Sequence, residues 1–387
     1  MLLSMREVRS EEMRDLDSER ELSGMTRNKY SRRNFLGMTG LAAGLCITGC
    51  AATRPRTARL AAGSGKIRTA GEKSTVSLVS NSDRRQATYD ALKIMREDIS
   101  SEIGNRQVVI KVNAGFPTEN HRIHSTYPGQ VRGILDFLRE FYDGEVWISE
   151  GVGSSTGTMF DGYELYGLMD LKSEYSGLKY IDANRMPATR KWIHQWHQYP
   201  TPINIISMYH LPEYYIISAA RLKTHNAVVG TFSLKNIVMG SPLGGFPGHS
   251  SEKGLMHGGT RDEGASGREL SYNMFTLALE GVYPDLAVVD GTTGIEGNGP
   301  WDGTEVEHAV TVASTDFVAC DRVCTEIAGI DPFYMKYMEW CGQAELGNWN
   351  MDRISVRGAR LNDHVIRYKL HENVAEQVAW IDRNFKR

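Results

Sequence analysis

A chain of 387 residues, 41% apolar and 24% charged, has the composition of a globular protein. It is long enough to bury a sizeable core, as a single large α/β domain or two closely packed lobes. A net charge of −3 supplies no broad basic face, which excludes nucleic acid as a partner. Of five cysteines, Cys46 and Cys50 lie near the N-terminus and Cys320, Cys324 and Cys341 in the body. An odd number sets no disulfide framework, and without a run of four no iron–sulfur cluster is expected.

The first element in the chain is an export signal. "SRRNFLGMTGLAAGLCITGC" (31–50) joins a twin arginine, Arg32 and Arg33, to Phe35 and Leu36 and then to a Gly-rich apolar stretch ending at Cys50. That stretch is shorter than the ~20 residues a spanning helix needs. It resembles a twin-arginine (Tat) signal, with Gly37 where the usual pattern has Lys. "ITGC" (47–50) resembles a lipobox, in which Cys50 would be lipidated and become the mature N-terminus. The implied partners are the Tat translocase during export and the membrane, through a lipid anchor if Cys50 is modified. The implied location is the periplasm or the outer face of the cytoplasmic membrane. The residues before Met25 fit no part of a signal, so they form a long leading region or translation starts at Met25. Residues 1–50 are therefore set aside as the signal segment. Residues 51–74 follow as a flexible tether, small, basic and without aromatics, and residues 75–387 as the folded domain.

Within that body, "TVSLVS" (75–80) reads as a strand and 84–103 has helical periodicity. "QVVIKVN" (107–113) is a second strand and "PGQVRGILDFLREF" (128–141) a helix with Pro128 near its first turn. "EVWISEG" (145–151) is a third strand. Further strands are expected near 178–182, 203–208, 214–219, 285–290 and 308–314, with helices near 270–281, 316–328 and 371–385. Alternation of strands and helices predicts an α/β fold whose mainly parallel sheet is flanked by helices. Near-continuous apolar strands such as "DLAVVDG" (285–291) agree, because a sheet covered on both faces needs no polar alternation.

Ligands gather at the carboxyl ends of strands in such sheets. Four candidate strands end in polar residues or glycine: Lys111 and Asn113, Glu150 and Gly151, Lys223 to His225, and Asp290 and Gly291. Lys223 and Lys235 stand beside apolar runs that leave few routes to bulk water, so each pairs with a carboxylate or meets an anionic ligand. His225 points to the face of Lys223 if the strand continues. The long loop 240–264 carries Lys253, His249 and His257, and "DGTTGIEGNGP" (290–300) pairs Asp290 and Glu296 with four glycines. His257 and Asp290 are the candidates for a divalent transition metal site. The histidine pairs of "HRIH" (121–124) and "HQWH" (194–197) read as surface pairs. Cys320 and Cys324, one turn apart, read as a buried helix face.

"RLKTH…GTFSLKN…G" (221–240), Lys253 and His257, and "PDLAVVDGTTGIEGNGP" (284–300) resemble the family named domain of unknown function 362. "ASTDFVACDRVCTEIAGIDP" (313–332) and "VVIKVN" (108–113) fit its flanking segments. The resemblance implies one site containing Lys223, His225, Lys235, Asn236, His257, Asp290, Glu296 and Asn298, and names no substrate. Members that resemble iron–sulfur proteins carry an appended ferredoxin module, which this chain lacks.

The leading expectation is an enzyme acting on a small anionic ligand. Lys223 and Lys235 would fix the anion, His225 or Glu296 would transfer a proton, and Lys111, Asn113, Asn236, Lys253 and Asn298 would complete the cleft. The alternative is a lipid-tethered binding or accessory protein that delivers a ligand or metal without chemistry.

Overall fold

The computed structural model describes residues 65–153, 158–195, 198–245, 250–258 and 266–381, all within one compact unit, Leu60–Arg387. Arg32, Arg33, Cys50 and His249 lie outside the described residues.

In chain order the elements are β1 (Ser74–Ser80), α1 (Arg84–Lys93), α2 (Arg96–Ile103), β2 (Gln107–Lys111), α3 (Pro128–Leu138), β3 (Val146–Glu150), α4 (Met159–Leu165), α5 (Leu171–Glu174) and β4 (Leu178–Asp182). Then come β5 (Ala188–Gln195), β6 (Tyr199–Ile206), β7 (Tyr214–His225), β8 (Val229–Thr231), α6 (Ser233–Val238), α7 (Ser266–Leu279), β9 (Leu286–Asn298) and β10 (Asp302–Ser314). The chain closes with α8 (Phe317–Ile327), α9 (Lys336–Gln343), β11 (Ile354–Gly358) and α10 (Val374–Val378).

Nine strands form one mixed, mostly parallel sheet in the order β11-β1-β10-β9-β7-β2-β3-β4, with β8 paired to β7. The centre is parallel throughout: β9, β7, β2, β3 and β4 run the same way. Successive residues of a central strand serve opposite cores. Val108 and Ile110 pack with α1–α5, whereas Val109 packs with α6–α9; Tyr215 and Ile217 divide from Ile216 in the same way. A strand buried on both faces therefore reads as an uninterrupted apolar run. Cys320 and Cys324 lie on α8 and are buried, as their spacing suggests.

Several boundaries move. The helical stretch 84–103 is two helices, broken at Met95, which leaves helical dihedrals (φ −115°, ψ 20°) while burying its side chain. β7 continues past 219 to His225, so Arg221, Lys223 and His225 are strand residues. "DGTTGIEGN" is the second half of β9, paired residue by residue with β10 from Asn298↔Asp302 to Thr293↔Glu307. Its glycines suggest a loop, yet the β10 ladder holds it extended. β5 and β6 make a separate two-stranded hairpin, and β5 escapes notice because five of its eight residues are polar or charged. The helix expected over 371–385 is the short α10 in its described part.

The tether also ends earlier than its composition suggests. Lys66 is buried, its ammonium 2.9 Å from Asp285, and its backbone N–H donates to His210 O. The Ala70 N–H donates to Glu345 O. Residues 65–74 are thus packed against the domain. Among the described residues, no helix is long and apolar enough to cross a membrane.

Candidate functional site

The carboxyl ends of β7, β2 and β3 open into a cleft of about 620 Å³, a size suited to a small molecule. Its polar lining includes Lys111, Glu150, Lys223, His225, Lys235 and Lys253. Each arrives from a different local cause. Lys111 and Glu150 end adjacent parallel strands, β2 and β3. Lys223 and His225 are two residues apart on β7 and share a face. Lys235 and Asn236 ride on α6, directly behind β8. Lys253 and His257 bound a single 3-10 turn, Lys253–His257.

α6 is held in place from outside the cleft. Asp321 of α8 accepts from the Ser233 N–H, the Ser233 hydroxyl and the Leu234 N–H, at 2.9, 2.6 and 3.1 Å. Those are donors of the first helical turn, which otherwise lack partners. Burial pushes the Asp321 carboxyl up to about 7. Behind α6, Gly240 has no room for a side chain, since a Cβ there would lie 2.3 Å from Lys111 Cε. The glycine that closes the "LKN…G" stretch is a requirement of this close approach.

Three sets of contacts organise the floor. Lys111 Nζ is 2.8 Å from Glu150 Oε2 and donates to Asn236 Oδ1 at 2.9 Å. Asn236 in turn donates to Lys111 O and to Ser218 Oγ. Lys223 Nζ donates to His124 O at 2.8 Å. Lys235 Nζ lies 3.0 Å from His225 Nε2, and His225 Nδ1 accepts from the Ala227 N–H at 3.0 Å. Nearer the mouth, Lys253 Nζ donates to Gly151 O at 2.8 Å.

Electrostatics follow from crowding cations in a poorly hydrated place. Burial pulls Lys223 well below the usual lysine range, and Lys235, Arg221 and Lys111 add to the effect. Burial, with the Lys111 charge, takes Lys235 to about 7. Lys253 falls to about 8, mainly by burial, with Glu150 opposing. His225 is pushed well below its ordinary value by burial and by Lys235, and His257 to about 4 for the same reasons.

One wall is aromatic. Phe116, His121 and Trp301 line the cleft, with ring centroids 4.3 Å apart for His121–Trp301 and 5.0 Å for Phe116–Trp301. Trp301 is 49% exposed and Phe116 38%. The "HRIH" pair is therefore not a surface pair: His121 and His124 are buried, on a 3-10 turn. His194 of "HQWH" lies on β5, and His197 is outside the described residues.

Eight of the expected residues meet in this cleft: Lys111, Asn113, Lys223, His225, Lys235, Asn236, Lys253 and His257. Three do not. Asp290, fully buried, is held by Arg84 Nε at 2.6 Å and Arg221 Nε at 3.4 Å, and accepts from the Thr292 N–H. Glu296 accepts from the Lys369 N–H and Asn298 from the Glu372 N–H, so both strap the C-terminal segment to β9. Neither lines the cleft, and the proton-transfer role expected of Glu296 has no geometry to support it. Nor does the structure bring His257 and Asp290 together as metal ligands. Among the described residues, no group of three or more His, Cys, Asp or Glu could hold a metal ion.

Residue-level reading also missed partners. Asp321 left a faint signal, a lone acid on the otherwise buried face of α8. Asn184, which donates to Val152 O and accepts from the Gly244 N–H, left none. Gln377 of α10 donates to His225 O and accepts from the Val229 N–H, clamping the β7–β8 turn from far along the chain.

Fold and cleft together define an α/β protein with a lysine-rich pocket at the strand ends of a mostly parallel sheet. The chain belongs to the family named Domain of unknown function (DUF362), whose model it matches over residues 108–326. Over 117 residues it is 32% identical to the Thylakoid-associated protein sll1697 of Synechocystis sp. (strain ATCC 27184 / PCC 6803 / Kazusa). That match covers 30% of this chain and 33% of the relative, so the chain spans about a third of that protein's length. No solved structure matches the chain.

Proposed function

We propose that the protein is an exported enzyme acting on a small anionic substrate held in the lysine-lined cleft. The observation that carries this reading is an imbalance of charge. Four lysine side chains line the cleft against the carboxylate of Glu150, and among the described residues only Lys111 of the four is ion-paired. Burying unpaired ammonium groups is costly, and an anionic ligand removes the cost. Lys223 and Lys253 each spend one N–H on a backbone carbonyl, leaving further donors for an anion. Lys235 and His225 form the reactive pair. Export, and a site of action at a membrane surface, is supported by the Arg32–Arg33 and Cys50 motifs and by the thylakoid association in the relative's name.

Sulfate, a small dianion, tests the anion site by calorimetric titration. Lys223→Met and Lys253→Met are each expected to weaken sulfate binding by roughly tenfold or more, about 1.4 kcal/mol or above. Their circular dichroism spectra should stay native. Sulfate affinities equal to that of the unaltered protein in both variants would rule the anion site out.

A further inference from the structure

Three cleft lysines have partners that suit an ammonium. Lys111 faces Glu150, while Lys223 and Lys253 face backbone carbonyls. Lys235 faces a ring nitrogen, and the proton count at that contact is informative. The Ala227 backbone N–H can only donate, so His225 Nδ1 is an acceptor. A neutral imidazole whose Nδ1 accepts carries its hydrogen on Nε2. That Nε2–H is aimed at Lys235 Nζ, 3.0 Å away. An ammonium has three donors and no lone pair, so it cannot accept. A neutral amine can. The contact is a hydrogen bond only when Lys235 is an amine.

The surroundings agree. Lys111 from β2, Lys223 and His225 from β7, and His257 from the 3-10 turn are the titratable groups acting on or facing Lys235, and among the described residues no carboxylate is paired with it. Burial and Lys111 lower its affinity for a proton to about neutral pH. Its position is fixed as well. Asp321 ties down the start of α6, and the neighbouring Asn236 is bound to Lys111 O and Ser218 Oγ. A desolvated amine beside other cations is the arrangement that makes lysine a nucleophile.

We propose that Lys235 is the nucleophile of this cleft and that its substrate is a carbonyl compound bearing an anionic group, captured as an imine. The substrate class rests on the anion site described above, with Lys223 and Lys253 receiving the charged group. Nζ attacks the carbonyl carbon, forming the C–N bond, and one amine proton passes to the oxygen to give a carbinolamine. The hydroxyl then takes the second nitrogen proton and leaves as water, the C–O bond breaks and C=N forms. No electrons are exchanged with another reagent. His225 Nε2–H turns from the amine lone pair to the departing oxygen as a hydrogen-bond donor, and keeps its proton.

The test uses two carbonyl probes with cyanoborohydride at pH 7, read by peptide mass spectrometry. Formaldehyde is uncharged and reports nucleophilicity alone; glyoxylate adds an anionic group. An ordinary lysine, with a pKa near ~10.4, is almost wholly ammonium at pH 7. Lys235 is therefore expected to be labelled roughly tenfold or more faster than exposed Lys172 by either probe. Its preference should be greater with glyoxylate, and sulfate should suppress that excess. Preferential labelling by formaldehyde without any glyoxylate excess would overturn the anionic substrate class while leaving the nucleophile in place. Labelling of Lys235 no faster than of Lys172 by either probe would overturn the proposal even if sulfate binds.

Discussion

Asp290→Ala is expected to destabilise the protein by about 3–5 kcal/mol, the usual loss when one partner of a buried ion pair is removed. The carboxylate is fully buried between Arg84 and Arg221, and Arg221 is itself buried. Both guanidinium groups also pack on the Tyr127 ring, with Cζ 4.2 and 4.5 Å from its centroid, and both reach the Thr293 hydroxyl. Removing the acid leaves two cations facing one another across a dry gap. The β7–β9 junction, where the strand register shifts between Arg221 and Lys223, loses its pin. Urea denaturation measures the loss, and elemental analysis separates it from metal binding. A variant within about 1 kcal/mol of normal stability but depleted in a bound metal would restore Asp290 as a ligand and refute this structural role.

Lys235→Met should do the opposite and stabilise the protein at neutral pH. In the folded state the Lys235 amine titrates near 7, while in the unfolded chain it titrates as an ordinary lysine. Between those values the unfolded chain binds the extra proton, so the stability of the unaltered protein rises with pH across the window from about 7 to about 10.5. The penalty is greatest at pH 7 and below. At ~1.4 kcal/mol per pKa unit it reaches a few kcal/mol, and a methionine of similar shape removes it. The variant is expected to gain roughly 2–4 kcal/mol at pH 7 and to lose most of that advantage by pH 10. Such a gain at the expense of reactivity is the common trade at functional sites. A variant less stable than the parent at pH 7, by an amount independent of pH, would mean that Lys235 is a structural ammonium.

Much of this site is legible in the chain because its residues interrupt apolar runs at strand ends. Lys111, Lys223 and His225 each follow buried β residues, and three of the four polar strand ends expected from the chain, those of β2, β3 and β7, meet at the cleft, whereas Asp290 lies within β9. The glycine-rich stretch 290–300 misleads for a physical reason. Glycine marks conformational freedom, and nothing local reveals that β10 returns alongside to hold it extended. Only Pro300 and Trp301, past the end of β9, reach the cleft. Asp290 misleads because a buried carboxylate needs a cation, and its two arginines come from residues 84 and 221. The pairing of Lys235 with His225 depends on the tight β7–β8 turn, which swings α6 back over the strand end. Sequence spacing places the two residues near one another but not nitrogen to nitrogen. The aromatic wall was lost because Phe116, His121 and Trp301 come from two segments nearly two hundred residues apart.

The central claim is a cleft whose lysines await an anion, and proton uptake on sulfate binding tests it most directly. Sulfate does not titrate near neutrality, so calorimetry at pH 8 in two buffers of different ionisation enthalpy counts protons taken up by the protein alone. With Lys235 near 7 and Lys253 near 8 in the free protein, a bound dianion raises both and draws protons in. The expected result is net uptake on the order of one proton per sulfate, with affinity falling as the pH rises above 8. Sulfate binding without proton uptake and without pH dependence, or no binding at all, would contradict the account.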